Sequence, residues 1–288
     1  MIKTLLVELT GSQTDTATLQ TAYLAARLFD ARLECLHLSP EWQQVAAQTA
    51  MADMTGPVVS EEFFAAFEAE AKAMTWRAHR HFLEFCKHRD IAISDAASAS
   101  VTHAVSAAWQ ERLGEFRHDI AKAARFHDLT VISRRRDIDA VGSVILKAGR
   151  PILLAPEAAP ENFAPTIAVA WKDRAESARA MTAAMPLLEK AEKILLVCVE
   201  DGEGKARTIE SANHVAEQLR WHGLSAEVQY AIPGGESIAN TIVKCARDNK
   251  ADLIVSGAYG HSRVSELVLG GVTRDLLKEC PLPLFLFH

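Results

Sequence analysis

A chain of 288 residues with 49% hydrophobic and 24% charged residues has the make-up of a globular protein, long enough for two domains that each bury a core. The net charge of −6 argues against a nucleic-acid partner, whose binding surfaces are basic, and no apolar run approaches the roughly 20 residues of a membrane span. Five cysteines, scattered and without a C-x-x-C pair, read as reduced thiols of a cytoplasmic protein.

Taken in order, the chain opens on strand-like Thr4-Leu-Leu-Val-Glu-Leu rather than on a signal peptide, the apolar stretch being short and without a small-residue cleavage site. Leu33-Glu-Cys-Leu-His-Leu reads as a second strand. Residues 40–60 look irregular, with Pro40, Gly56 and Pro57. From Glu61 to about Arg89 the spacing predicts a long amphipathic helix. Its apolar stripe is Phe63, Phe64, Phe67, Met74, Trp76, Phe82 and Phe85, for which packing onto the core is the expected role. His79, His81 and His88 lack the partners of a metal site, so no metal is expected. Val101-Thr-His-Ala-Val is the expected third strand and His127-Asp-Leu-Thr-Val-Ile the fourth. The basic run from Arg134 to Arg136, followed by Asp137 and Asp139, reads as a solvated loop. Pro151-Ile-Leu-Leu closes the set as a fifth strand. Three prolines between 156 and 165 mark a linker, dividing the chain into domains 1–157 and 164–288.

The second domain repeats the first. Thr166-Ile-Ala-Val-Ala-Trp, Ile194-Leu-Leu-Val-Cys-Val, Val228-Gln-Tyr-Ala-Ile, Ala251-Asp-Leu-Ile-Val-Ser and Pro283-Leu-Phe-Leu match the five strands in turn. Runs rich in Val, Ile and Leu suit strands buried on both faces. Between them lie helix-length segments such as 175–188 and 209–221. Such alternation predicts a parallel sheet with helices on both sides.

After the repeat's fourth strand comes Gly257-Ala-Tyr-Gly260, then nine residues, then Gly270-Gly271-Val272-Thr273 at the start of a helical pattern. Glycines there let backbone N–H groups approach an anion, and a helix start adds donors and a favourable dipole. Neither G-x-x-x-x-G-K-[ST] nor a strand-following G-x-G-x-x-G is present. On spacing alone, phosphate binding stands level with a purely structural use of the glycines. The stretch from Asp252 to Pro283 is eight residues longer than that from Asp128 to Pro151. The missing residues fall in the glycine loop, so the first domain cannot build the same cradle.

The duplicated five-stranded unit, with A-D-L-I-V-S-G-A-Y-G-H-S-R and L-G-G-V-T-R between Ala251 and His288, resembles the universal stress protein family in its tandem form. The resemblance implies an α/β fold of two doubly wound five-stranded parallel sheets, strand order 3-2-1-4-5, packed as a pseudo-dimer. It also implies a stress-response protein that binds ATP or a related adenine nucleotide in the second domain, with Mg²⁺ an optional companion of the phosphates. By the same resemblance Gly257, Gly260, Gly270 and Gly271 offer N–H groups to phosphate oxygens, beside Val272. His261 and Ser262 lie within reach of phosphates or ribose, and Thr273 donates its hydroxyl. Val199 meets the adenine edge and Ser256 lines the base pocket.

Two positions depart from the family pattern. Gly271 stands where a serine or threonine is usual. Lys172 replaces an aspartate at the end of the first strand, with Asp173 one residue later and Thr10 at the matching place in the first domain. No nucleophile, base and orienting group come together in the sequence, and no acidic pair for Mg²⁺ is evident. The reading is therefore a nucleotide-responsive binding module rather than an enzyme. A slow ATP hydrolase, or a scaffold using the Phe-rich insert, are the alternatives. A homodimer through exposed sheet edges and unidentified protein partners complete the expectations.

Overall fold

The computed structural model describes residues 1–40, 61–94, 104–134, 136–200, 202, 204–259 and 270–288. In the first half, β1 (Thr4–Leu9), α1 (Asp15–Arg27) and β2 (Arg32–Ser39) lead to the long helix α2 (Glu61–Arg89). Then come β3 (Ala92–Ile93), β4 (Ser106–Leu113), a π-helical turn (Phe116–Ile120) running into α3 (Ala121–Ala124), β5 (Leu129–Ser133), α4 (Ile138–Ala148) and β6 (Ile152–Ala155). The second half is β7 (Thr166–Ala170), α5 (Ala175–Leu188), β8 (Lys193–Val199), α6 (Lys205–Trp221), β9 (Ala226–Ala231), α7 (Ile238–Asp248), β10 (Leu253–Gly257), α8 (Gly271–Glu279) and β11 (Leu284–Phe287).

The strands form one eleven-stranded sheet in the order β3-β4-β2-β1-β5-β6-β11-β10-β7-β8-β9. Every neighbouring pair is parallel except β6 and β11, which run antiparallel with Leu153 opposite Phe285. This corrects the expectation of two separate five-stranded sheets. Edge strands buried between two halves would leave a row of N–H and C=O groups unsatisfied, and pairing β6 with β11 satisfies them. The short β3 adds a further edge strand beside β4.

Another difference concerns the third strand of the first half. Residues 101–103 of the expected run lie outside the described residues, and the strand paired with β2 is Ser106–Leu113. Only its first half is well buried, and the end from Glu111 to Leu113 is exposed. A search for apolar runs passes over such a strand because its polar half faces water.

Alternate residues of each strand feed two cores, one on each face of the sheet. Leu5, Val7 and Leu9 join one with Leu33, Leu153, Val169 and Phe285. Leu6 joins the other with Leu36, Ile132, Leu154, Ile254 and Leu286. Both clusters draw on both halves. Each fully buried Leu or Phe contributes roughly 1.5–3 kcal/mol, so the halves stabilise each other through shared cores as well as paired backbones.

Among its described side chains, the Phe-rich helix α2 packs on the core chiefly toward its end. Ala78, Phe82 and Cys86, spaced four apart, are its buried contacts. Trp76 is 62% exposed and carries the Arg80 guanidinium 4.8 Å from its ring centroid. Gly11, with φ +78°, lets the β1–α1 turn meet α2: a Cβ there would lie 2.2 Å from the Met74 carbonyl oxygen.

Candidate functional site

A cavity of about 380 Å³ opens at the carboxyl ends of β7, β8 and β10. β7 pairs with β8 on one side and β10 on the other. The chain order reverses at β7, and open α/β sheets hold ligands at such a reversal. The strands supply Val197 and Val199 from β8 and Ser256 and Gly257 from β10. Lys172 and Arg174 come from the β7–α5 turn, and Ile238 and Ile242 from α7. The start of α8 closes the cavity with Gly270, Gly271, Val272 and Thr273.

Local structure explains each placement. The Trp171 N–H donates to Val197 O at 2.9 Å, and the Arg174 N–H to Lys172 O at 2.7 Å, a tight turn that aims α5 back across the sheet. Gly257 lies against the first turn of α5, where a Cβ would stand 2.6 Å from the Glu176 carbonyl carbon and 2.7 Å from the Ser177 nitrogen. Close packing is thus the use the geometry gives this glycine. Ser256 turns its hydroxyl onto Gly257 O at 3.0 Å. Gly270 is the N-cap of α8 and its carbonyl accepts from Arg274 N at 3.0 Å. Among the described residues, a Cβ on Gly270 or Gly271 would meet nothing within 4 Å. That open space adjoins a helix start, whose first N–H groups have no partner within the helix.

Eight of the sequence candidates, Lys172, Val199, Ser256, Gly257, Gly270, Gly271, Val272 and Thr273, therefore share one cavity. Asp173 does not. It lines an adjoining crevice of about 20 Å³ with Arg207, Thr208 and Ser211, which shares Trp171, Lys172 and Val199 with the cavity; the Trp171 indole N–H donates to Ser211 Oγ at 3.0 Å. Gly260, His261 and Ser262 lie outside the described residues. Sequence reasoning missed Trp171, Arg174, Glu176, Ile238 and Ile242. The isoleucines open α7 behind an N-cap serine, Ser237, and nothing in their spacing separates them from ordinary core residues.

Charge in the cavity comes from Lys172, Arg174 and Glu176, the last held by Arg179 at 3.1 Å. Ala258, directly after β10, is tied to both Phe287 and His288. The Ala258 N–H donates to Phe287 O at 2.9 Å, and His288 Nδ1 contacts Ala258 O at 3.1 Å. Tyr259, at φ +65°, sets its ring edge-on to His288. Burial pushes the Tyr259 hydroxyl up to about 12, with Asp139 adding to the shift.

In the first half the same place is taken up by protein. Leu5 pairs with Leu129 as Ile167 pairs with Leu253, which puts Glu8 where the second half has Ala170. Glu8 is fully buried and ion-paired with Arg136, whose guanidinium lies 4.7 Å from the Phe116 ring centroid. The β1–α1 turn is tied to buried Asp15, which accepts from Thr10 N at 2.9 Å, Thr10 Oγ1 at 2.9 Å and Gly11 N at 2.8 Å. His81 Nδ1 reaches the same carboxylate at 3.2 Å. Among the described residues, no three His, Cys, Asp or Glu side chains are grouped to hold a metal, and no helix is long and apolar enough to cross a membrane.

Residues 164–288 match the model of the Universal stress protein family. Universal stress protein Slr1230 of Synechocystis sp. is 35% identical over 66 residues, which is 23% of this chain and 22% of that protein. The chain thus spans under a quarter of that curated relative's length. Among solved structures, a universal stress protein from Archaeoglobus fulgidus superposes with a TM-score of 0.68 at 12% identity, covering 99% of this chain and 95% of the other. A putative universal stress protein from Pseudomonas aeruginosa gives 0.56 at 14% identity, covering 99% and 93%. At such identities the superpositions speak for the fold. Residues 164–288 are thus similar to the Universal stress protein family, and the whole chain shares the fold of these two solved structures.

Proposed function

We propose that the second half binds ATP or a related adenine nucleotide in the cavity between β7 and β10, and that the first half does not. The observation that carries this reading is the pair Gly270–Gly271 at the start of α8, where an added Cβ meets nothing among the described residues, at one end of a cavity whose apolar wall is Val197, Val199, Ile238 and Ile242. A helix start suits phosphate, the apolar wall suits a base, and the volume falls within the range of small-molecule sites. Lys172 and Arg174 add positive charge on the facing side. Gly257, Ser256 and Thr273 shape the cavity floor, while Gly260, His261 and Ser262 complete the proposed phosphate loop. Asp173 lies in the neighbouring crevice, one residue beyond Lys172.

Binding would change the surface around α8 and the loop before it, which makes the chain a nucleotide-responsive module of a stress response. The five buried, unbridged cysteines suit a reducing, cytoplasmic setting. The proposed role is binding rather than hydrolysis, and Mg²⁺ would enter only with the phosphates. The outer edge of β9 offers a place for a second copy or another protein to pair. Titration calorimetry of the full chain tests the reading: one ATP per chain is expected, with GTP weaker. Two equivalent sites, or no binding of either nucleotide, would overturn it.

A further inference from the structure

The start of α8 walls the cavity, and its end is held by the other half of the molecule. Arg134, directly after β5, is only 9% exposed. Its Nη1 donates to Leu276 O at 2.9 Å and Leu277 O at 3.3 Å, and its Nη2 to Leu282 O at 3.1 Å. The last carbonyls of a helix carry the negative end of its dipole, and Leu276 O accepts here from Cys280 N at 3.2 Å as well as from Arg134. A guanidinium fork suits them because it is planar, charged and offers several donors at once. Burial draws the Arg134 guanidinium below its ordinary value, an effect that Cys280 and Glu157 only partly offset.

With nine residues, α8 is too short to hold itself together by its own hydrogen bonds. Tertiary contacts must decide where it stands. Leu276 lies one turn beyond Thr273, so a grip on Leu276 and Leu277 also fixes the first turn. A second polar tie between the halves here, Arg274 to Asp139 at 3.2 Å, is half exposed at both ends and so contributes little. The grip runs in one direction. Counting from the paired Leu129 and Leu253, the second half has Ala258 where the first has Arg134, and α4 of the first half ends instead on Gly149 at φ +64°.

We infer that Arg134 is a positioning residue for the ligand site of the other half, setting where the N–H groups of Gly270 to Thr273 stand and so governing affinity for the phosphate part of the ligand. This rests on the nucleotide reading of the cavity. The first half, its own crevice filled by Glu8 and Arg136, thereby serves the second.

The test titrates the full chain, Arg134→Met and Arg134→Lys with ATP and with adenosine, and follows amide exchange of residues 272–276 without ligand. Arg134→Met should weaken ATP by at least about tenfold while adenosine shifts by less than about twofold. Exchange in the first turn of α8 should quicken, and Arg134→Lys should recover part of both. A merely structural role would lower the melting temperature and leave the ratio of ATP to adenosine affinity at the parent value, which would overturn the inference. Should Arg134→Met fail to fold, Arg134→Lys decides by the same ratio, since lysine keeps the charge but cannot span three carbonyls. If the parent chain binds neither ligand, the nucleotide reading itself fails and this inference falls with it. If the parent binds ATP and only the ratio is unmoved, the inference alone falls.

Discussion

Gly257 lies so close to the peptide joining Glu176 to Ser177 that a single methyl group on it would stand within 2.8 Å of three backbone atoms. The end of β10 and the start of α5 are therefore locked together by the absence of a side chain. Backbone on both sides leaves nothing flexible to yield.

Gly257→Ala should for that reason destabilise the chain by about 1–3 kcal/mol, the usual cost of overpacking. Urea unfolding of the full chain measures it directly. An unchanged midpoint would show that α5 can move aside.

Gly271→Ser has the opposite expectation. Its Cβ would enter open space beside the cavity, and a hydroxyl is well tolerated at a helix start. A hydrogen bond to a charged group is worth roughly 1.5 kcal/mol at the lower end of its range, so ATP should bind at least about tenfold tighter. AMP should gain less, because it lacks the outer phosphates. Equal gains for the two nucleotides in parallel titrations would mean that Gly271 does not face the phosphate chain.

The ion pair that fills the first half can be examined by a double-mutant cycle. Arg136→Met leaves Glu8 fully buried without its partner, at a cost of about 3–5 kcal/mol. The double variant Glu8→Leu with Arg136→Met should recover most of that loss, since buried pairs replaced by packed apolar groups are often neutral. Chemical unfolding of the three variants and the parent supplies the cycle. Additive losses would show that the two residues act independently.

Alkaline pH should act through Tyr259. Its hydroxyl ionises near 12 in the folded chain because burial disfavours the phenolate, against about 10 in an unfolded one. Between those values the unfolded state gives up its proton first, so the stability due to Tyr259 is whole below about pH 10 and is lost as pH rises toward 12. Tyr259→Phe should flatten that part of the stability profile, measured as the difference in melting temperature between the two proteins across this range. Coincident profiles would refute it.

Much of this was legible in the sequence because it depends on near neighbours. Strands such as Leu253-Ile-Val-Ser and helices such as 175–188 announce themselves through apolar spacing, and the glycines before Thr273 mark a helix start within a few residues. The eight-residue difference between the two loops already said that the halves would not be equivalent. β4 escaped notice because its polar end faces water, and Ile238 and Ile242 because a cavity wall and a core use the same side chains. What the tertiary structure alone decided are meetings between distant segments: Glu8 with Arg136, Gly257 with the Glu176–Ser177 peptide, Leu153 with Phe285, and Arg134 with the end of α8. Local pattern sets which residues become strand or helix, through dihedral preference and burial of one face. Which elements then touch depends on how the whole sheet satisfies its edges and fills its shared cores, and that balance is struck only when both halves are in place.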